Sequence, residues 1–159
     1  GISPSVDAFL KAHGNENITQ LTVSRTVLNP LLTGAIGVIS PSFKRKTWDE
    51  KLYHLQVLVR TTRPSLSLEK TSRITISHYN KRRGSEDMSV SIPPGLTLNL
   101  LWERTKNEMG GRFLTYSARD SNCQDLVLEM LKSNNLAPPQ IFNSSNKPHN
   151  PSSRQSWER

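Results

Sequence analysis

The chain has 159 residues, with 21 Lys and Arg against 13 Asp and Glu, for a formal net charge of +8. No run approaches the ~20 apolar residues of a membrane-spanning helix, and the single cysteine excludes an internal disulfide and a cysteine-based zinc finger. Apolar residues make up 34% of the chain, and the polar excess is concentrated in a Pro-, Ser- and Asn-rich C-terminal stretch. These features predict one domain over residues 1–136 and a tail or linker over residues 137–159.

Hydrophobic periodicity predicts that the first part of the domain begins with a helix and a strand. The helix is expected over residues 6–13, with Ser5 as its cap and Gly14 as its end. The strand is expected over residues 18–27, where apolar and polar residues alternate. Residues 28–39 are apolar, and their glycine spacing fits a buried turn or short helix instead of a phosphate-binding loop.

In the second part of the domain, the same periodicity predicts a meandering sheet followed by helices. The expected elements are strands over residues 53–61, 66–70, 73–79 and 89–92, a helix over 96–108, a strand over 112–118 and a helix over 122–132 capped by Asp120 or Ser121. The fold class expected from this order is α+β, with a mostly antiparallel sheet and packed helices.

Strand alternation and hairpin geometry bring polar residues onto one face of this sheet. His54 lies within a strongly apolar strand, on the face opposite Tyr53 and Leu55. A turn centred on residues 62–63 pairs Glu69 opposite Gln56 and diagonal to His54, at a separation of ~7–8 Å. A carboxylate at that distance can orient an imidazole, as the third member of a catalytic triad does.

Cys123, the sole cysteine, opens the last predicted helix, where unpaired N–H groups and the helix dipole stabilise a thiolate. A thiolate nucleophile needs a histidine as base and then as acid, and His54 is the best placed of the four histidines. Glu69 is the candidate orienting group, and Gln124 or Gln56 is the candidate oxyanion donor. The residues alone also fit a core cysteine and a structural histidine.

The tripeptide Asn122-Cys123-Gln124, placed after a His-bearing strand, resembles the NC motif of permuted papain-like proteins. These proteins form the lecithin–retinol acyltransferase and H-box/NC group, which is related to NlpC-type hydrolases and has virus-encoded members. The resemblance covers residues 53–136 and implies a circularly permuted papain-like fold, with Cys123 as nucleophile and His54 as base. Two features differ from the group: Glu69 stands where its acyltransferases usually carry a second His, and residues 55–60 lack its Gly-rich stretch.

We therefore expect a cysteine-nucleophile hydrolase or acyltransferase that forms a thioester intermediate on lipid ester or acyl bonds and uses no cofactor and no metal. Two alternatives stay open: a cysteine protease or isopeptidase that uses the same dyad on a peptide substrate, and a catalytically inactive basic binding module.

The basic clusters at residues 44–46 and 81–83 fit solvated loops best, and the basic excess of the chain also favours anionic partners. An anionic membrane surface ranks before nucleic acid, because no aromatic residues alternate with these clusters as a base-stacking platform requires. The absence of disulfides suits a reducing compartment but does not require one, so the sequence leaves the location open, with the cytoplasm and a virion both compatible.

Overall fold

The computed structural model describes residues 1–27, 53–115 and 122–137, and within them the fold is α+β. The elements in chain order are α1 (Ser5–His13), β1 (Ile18–Val27), β2 (Tyr53–Thr61), β3 (Ser65–Lys70), β4 (Ile74–His78), β5 (Glu86–Val90), α2 (Leu98–Met109), a 3₁₀ turn (Gly110–Phe113) and α3 (Cys123–Ser133). The strands form one sheet in the order β4-β3-β2-β1-β5, and all neighbouring strands are antiparallel. The predicted fold class and antiparallel sheet are confirmed, and β2 is the central strand.

The β2–β3 hairpin has the register that the turn position predicts. Gln56 lies opposite Glu69, and Val57 lies opposite Leu68. Since directly paired residues share a face of the sheet and successive residues alternate, His54 lies on the face of Gln56 and Glu69. The hairpin therefore places the candidate base and its candidate orienting carboxylate on the same side.

The three helices and the other face of the sheet enclose an apolar core. Helix α1 contacts β4, α3 contacts β2 and β3, and α2 contacts α3. No helix among the described residues is long and apolar enough to cross a membrane. The core combines side chains from the sheet and from the helices, which include Leu21, Val23, Leu55, Val57, Leu66, Leu68, Ile76, Leu101, Trp102, Phe113, Leu126 and Met130.

The segment after α2 differs from the sequence prediction. The sequence predicts a strand over residues 112–118, of which the structure describes 112–115. Gly110, with a φ of 57°, ends α2, and the chain continues as the 3₁₀ turn Gly110–Phe113. The reason is a packing contact. The buried ring of Phe113 meets Trp102 edge-on, with ring centroids 4.9 Å apart, and an extended chain would carry Phe113 away from this contact.

Smaller corrections concern element ends. Strand β5 spans Glu86–Val90 instead of residues 89–92. The predicted cap Ser5 is the first residue of α1, and the N-cap is Pro4, which forms no side-chain cap hydrogen bond. The predictions for residues 28–39, for the basic cluster at 44–46 and for nearly all of the tail lie outside the described residues.

Gly14 ends α1 at the point where this helix meets α2, and we expect Gly14→Ala to destabilise the fold. The Gly14 N–H donates to the Leu10 carbonyl at 2.7 Å, and the Asn99 N–H donates to the Gly14 carbonyl at 2.8 Å. A Cβ at this position would overlap the Leu10 carbonyl and the Asn99 side chain. Urea denaturation should show a loss of about 1–3 kcal/mol in the free energy of unfolding.

Gly111→Ala is the matched control, because a Cβ there would have no neighbour within 4 Å. Equal losses in the two variants would contradict a steric role for Gly14.

Candidate active site

Helix α3 begins with a capping box that holds its first turn. Oδ1 of Asn122 accepts from the backbone N–H groups of Gln124 at 2.9 Å and Asp125 at 3.2 Å. Oδ2 of Asp125 accepts in return from the Asn122 N–H at 3.0 Å. The cap expected at residue 120 or 121 is therefore wrong, because Asn122 is followed three residues later by the carboxylate that completes the box.

This capped turn lies against the start of β2. Sγ of Cys123 is 4.0 Å and Nε2 of Gln124 is 3.4 Å from the Tyr53 carbonyl oxygen. His54 is the next residue of β2, and its ring lies close enough to Cys123 for this residue to raise the pKa of the ring. Cys123 is 6% exposed and His54 8% exposed, so the pair is largely shielded from bulk water.

The far side of the His54 ring is held by Glu69. Nε2 of His54 lies 2.6 Å from Oε2 of Glu69, so Nδ1 is the second ring nitrogen, which can exchange a proton with another group. The structure thus brings Cys123, His54 and Glu69 together in the linear order of a nucleophile, a base and an orienting group. Arg82, on the loop between β4 and β5, donates from Nη2 to the same Glu69 oxygen at 3.2 Å.

These contacts determine the charge state of the ring. Burial alone acts to lower the pKa of His54, but the hydrogen bonds with Cys123 and Glu69, helped by the charge of Cys123, raise this pKa from 6.5 to about 9. The hydrogen bond with His54 lowers the pKa of Glu69 against the opposing effect of burial, and the charges of His54 and Arg82 lower it further. At neutral pH the ring is therefore an imidazolium bound to a carboxylate.

Both candidate oxyanion glutamines bind backbone groups in this structure. Gln124 is buried and donates to the Tyr53 carbonyl, so it fastens α3 to β2. Gln56 is 1% exposed, donates from Nε2 to the Asn80 carbonyl at 3.0 Å and accepts at Oε1 from the Arg82 N–H at 3.2 Å. Their role as oxyanion donors stays a prediction.

The capping box leaves one backbone N–H at the start of α3 as a further candidate oxyanion donor. Asn122 satisfies the second and third N–H groups of α3, those of Gln124 and Asp125. The first helical N–H belongs to Cys123, and in the described part of the chain it has no acceptor. Sequence reasoning missed this group, although an Asn-Cys pair with an acidic residue two positions after the cysteine is the pattern that exposes it.

Lys70 is a second feature that sequence reasoning missed. It continues the apolar alternation of β3 onto the core face, is 1% exposed, and donates from Nζ to the Arg112 carbonyl at 2.8 Å. Burial lowers the pKa of Lys70, while the negative charges of Asp125 and Cys123 act to raise it. Lys70 thus lies close enough to the first turn of α3 to interact with the charges of Asp125 and Cys123.

Comparison of the chain with protein-family models, with curated proteins and with solved structures gives no match. Among residues 1–27, 53–115 and 122–137, no group of three or more His, Cys, Asp and Glu side chains is arranged to hold a metal ion. A functional assignment therefore rests on the geometry of the Cys123–His54–Glu69 cluster.

The raised pKa of His54 predicts a pH-dependent stability. A ring with a pKa of about 9 in the folded chain and 6.5 as its ordinary value stabilises the fold fully below pH 6.5, and this contribution is lost as the pH rises through 9. We therefore expect the free energy of unfolding, measured by urea denaturation, to decrease across this interval.

The decrease in the free energy of unfolding with pH should be smaller in His54→Gln than in the wild type. His78→Gln is the control that should keep it, because the His78 ring packs edge-on against Phe9 and does not contact the cluster. The same pH dependence in wild type and His54→Gln would contradict the assignment.

Proposed function

We propose that this chain is a cysteine-nucleophile hydrolase or acyltransferase with a permuted papain-like arrangement, which acts through a thioester intermediate on lipid ester or acyl bonds. One observation carries the proposal: Cys123, at the capped start of α3, lies beside His54, whose ring is hydrogen-bonded to Glu69. The order of the elements, with the His strand before the Cys helix, is the order of the permuted group.

Acylation starts from the Cys123 thiolate and the His54 imidazolium. Sγ attacks the carbonyl carbon of the acyl group, and the backbone N–H of Cys123 donates to the oxyanion that develops. His54 gives its Nδ1 proton to the leaving oxygen or nitrogen as the bond to the carbonyl carbon breaks, so the product is a thioester. Glu69 stabilises the ring charge until this proton is transferred.

Deacylation reverses these roles. The neutral His54 ring removes a proton from water or from an acceptor hydroxyl, whose oxygen attacks the thioester carbonyl carbon. The sulfur–carbon bond breaks and regenerates the thiolate of Cys123 beside an imidazolium. Water as the attacking group gives hydrolysis, and an alcohol or amine gives acyl transfer.

The charge around the cluster supports a lipid substrate. Lys81, Arg82 and Arg83 are exposed on the loop that follows β4, and Arg82 contacts Glu69. Basic residues close to an anionic membrane contribute ~1 kcal/mol each to binding. This loop would therefore draw the nucleophile towards phospholipid acyl bonds.

We expect Cys123→Ala to abolish turnover of an activated acyl ester and His54→Gln to lower kcat/KM by about 10²- to 10⁴-fold, because the general acid and base is lost. Glu69→Gln should cost less, since Glu69 orients the ring without exchanging a proton with substrate. Iodoacetamide should alkylate wild-type Cys123 faster than a free cysteine peptide at a slightly acidic pH.

A matched histidine–carboxylate pair without a thiol provides the control. Nδ1 of His13 lies 2.6 Å from Oε2 of Glu16, and His13→Gln should leave turnover unchanged. Alkylation no faster than that of the peptide, together with full activity of His54→Gln, would refute the dyad.

The proposed lipid substrate leads to a separate prediction. We expect the wild-type chain to bind vesicles that contain phosphatidylserine at low salt, to dissociate at high salt, and to hydrolyse phospholipid with Cys123 present. Cosedimentation at two ionic strengths, run beside phospholipid and peptide cleavage assays, measures this. The double variant Lys81→Gln with Arg83→Gln should weaken vesicle binding.

Two results would change the assignment. Absent or salt-insensitive vesicle binding with Cys123-dependent peptide cleavage would establish the protease, whose peptide would add to an open strand edge. Vesicle binding that is equal in wild type and Cys123→Ala, without turnover of either substrate, would establish an inactive binding module.

A further inference from the structure

Arg82 is held at two points beside the cluster, by its backbone and by its side chain. Its backbone N–H donates to Oε1 of Gln56, and Nη2 of its guanidinium donates to Oε2 of Glu69, both at 3.2 Å. Gln56 and Glu69 are directly paired across β2 and β3, so both contacts arise from one strip of the sheet. The guanidinium position is therefore defined although 46% of the side chain is exposed.

The loop that carries Arg82 is itself anchored by buried side chains. Gln56 is 1% exposed and Ser67 is fully buried. Nε2 of Gln56 donates to the Asn80 carbonyl at 3.0 Å, and the Asn80 N–H donates to Oγ of Ser67 at 2.8 Å. Hydrogen bonds between loop backbone and buried side chains are costly to break, because they would leave buried polar groups unpaired.

His54 and Arg82 bind the same oxygen of Glu69. Rotation of the carboxylate away from either donor would weaken both hydrogen bonds, so Arg82 restricts the orientation in which Glu69 meets the ring. The guanidinium also acts on the ring through its charge, because a nearby cation disfavours an imidazolium. In agreement with this, the charge of Arg82 lowers the pKa of His54 and that of Glu69.

We propose that Arg82 is a positioning residue of the proposed enzyme, which fixes Glu69 against His54 and limits how strongly His54 retains the proton it must give to the leaving group. The inference rests on the proposed function. Among the described residues, the charged or titratable groups that face His54 are Glu69 on β3, Cys123 on α3 and Arg82 on the loop. The β1 residue opposite His54 is Thr26, which has no charge.

Arg82→Gln tests the proposal, because it removes the charge and keeps an amide donor. We expect the titration of the His54 ring, followed by NMR in the full chain, to move to higher pH. The alkaline limb of the pH–activity profile should move in the same direction, and kcat at neutral pH should fall about fivefold. Arg82→Lys keeps the charge and should restore most of the wild-type titration.

Arg104→Gln is the control, since it removes the same charge from an exposed position on α2. An unshifted His54 titration in Arg82→Gln, or an equal shift in Arg104→Gln, would overturn the role of Arg82. An inactive wild type in which Arg82→Gln still shifts the titration would overturn the proposed function while supporting the contact. An active wild type with an unshifted titration would overturn only the role of Arg82.

Discussion

The contact between the capped start of α3 and the first residues of β2 positions every other group of the candidate site. The capping box of Asn122 and Asp125 defines the first helical turn, and caps of this kind contribute about 1 kcal/mol to stability. Gln124 then fastens that turn to the Tyr53 carbonyl. Because His54 follows Tyr53 along the strand, the same contact that packs α3 on the sheet also sets the Cys123 sulfur beside the ring.

Opposing electrostatic effects determine the charge of His54 at this contact. Burial of His54 works against its charge, and the interactions with Cys123 and Glu69 outweigh burial and make the charged ring the stable form. A buried ion pair is an inefficient way to stabilise a fold, because the desolvation of both groups offsets their attraction. Two cations flank the pair: Lys70 is buried beneath α3, and Arg82 is half exposed above Glu69. Such clusters of buried groups with shifted pKa values are typical of functional sites.

The two faces of the sheet differ in polarity and in what covers them. One face packs against the three helices and provides the apolar core. The other carries His54, Gln56 and Glu69, and part of it is covered by a loop whose backbone is bonded to Gln56 and Ser67. The side chain of Gln56 on β2 therefore anchors the loop that reaches the site. As a result, the position of Arg82 depends on the packing of the sheet.

Strand alternation and hairpin geometry made much of this site predictable from the sequence. Alternation placed His54 opposite the apolar face, and a short hairpin turn fixed the register that pairs Gln56 with Glu69, because hairpin register follows directly from turn position. Contacts distant in the chain decided the rest. Phe113 meets Trp102 and converts an expected strand into a 3₁₀ turn. The burial of Lys70 and the approach of Arg82 to Glu69 depend on how separate elements pack, and local pattern carries no information about that packing.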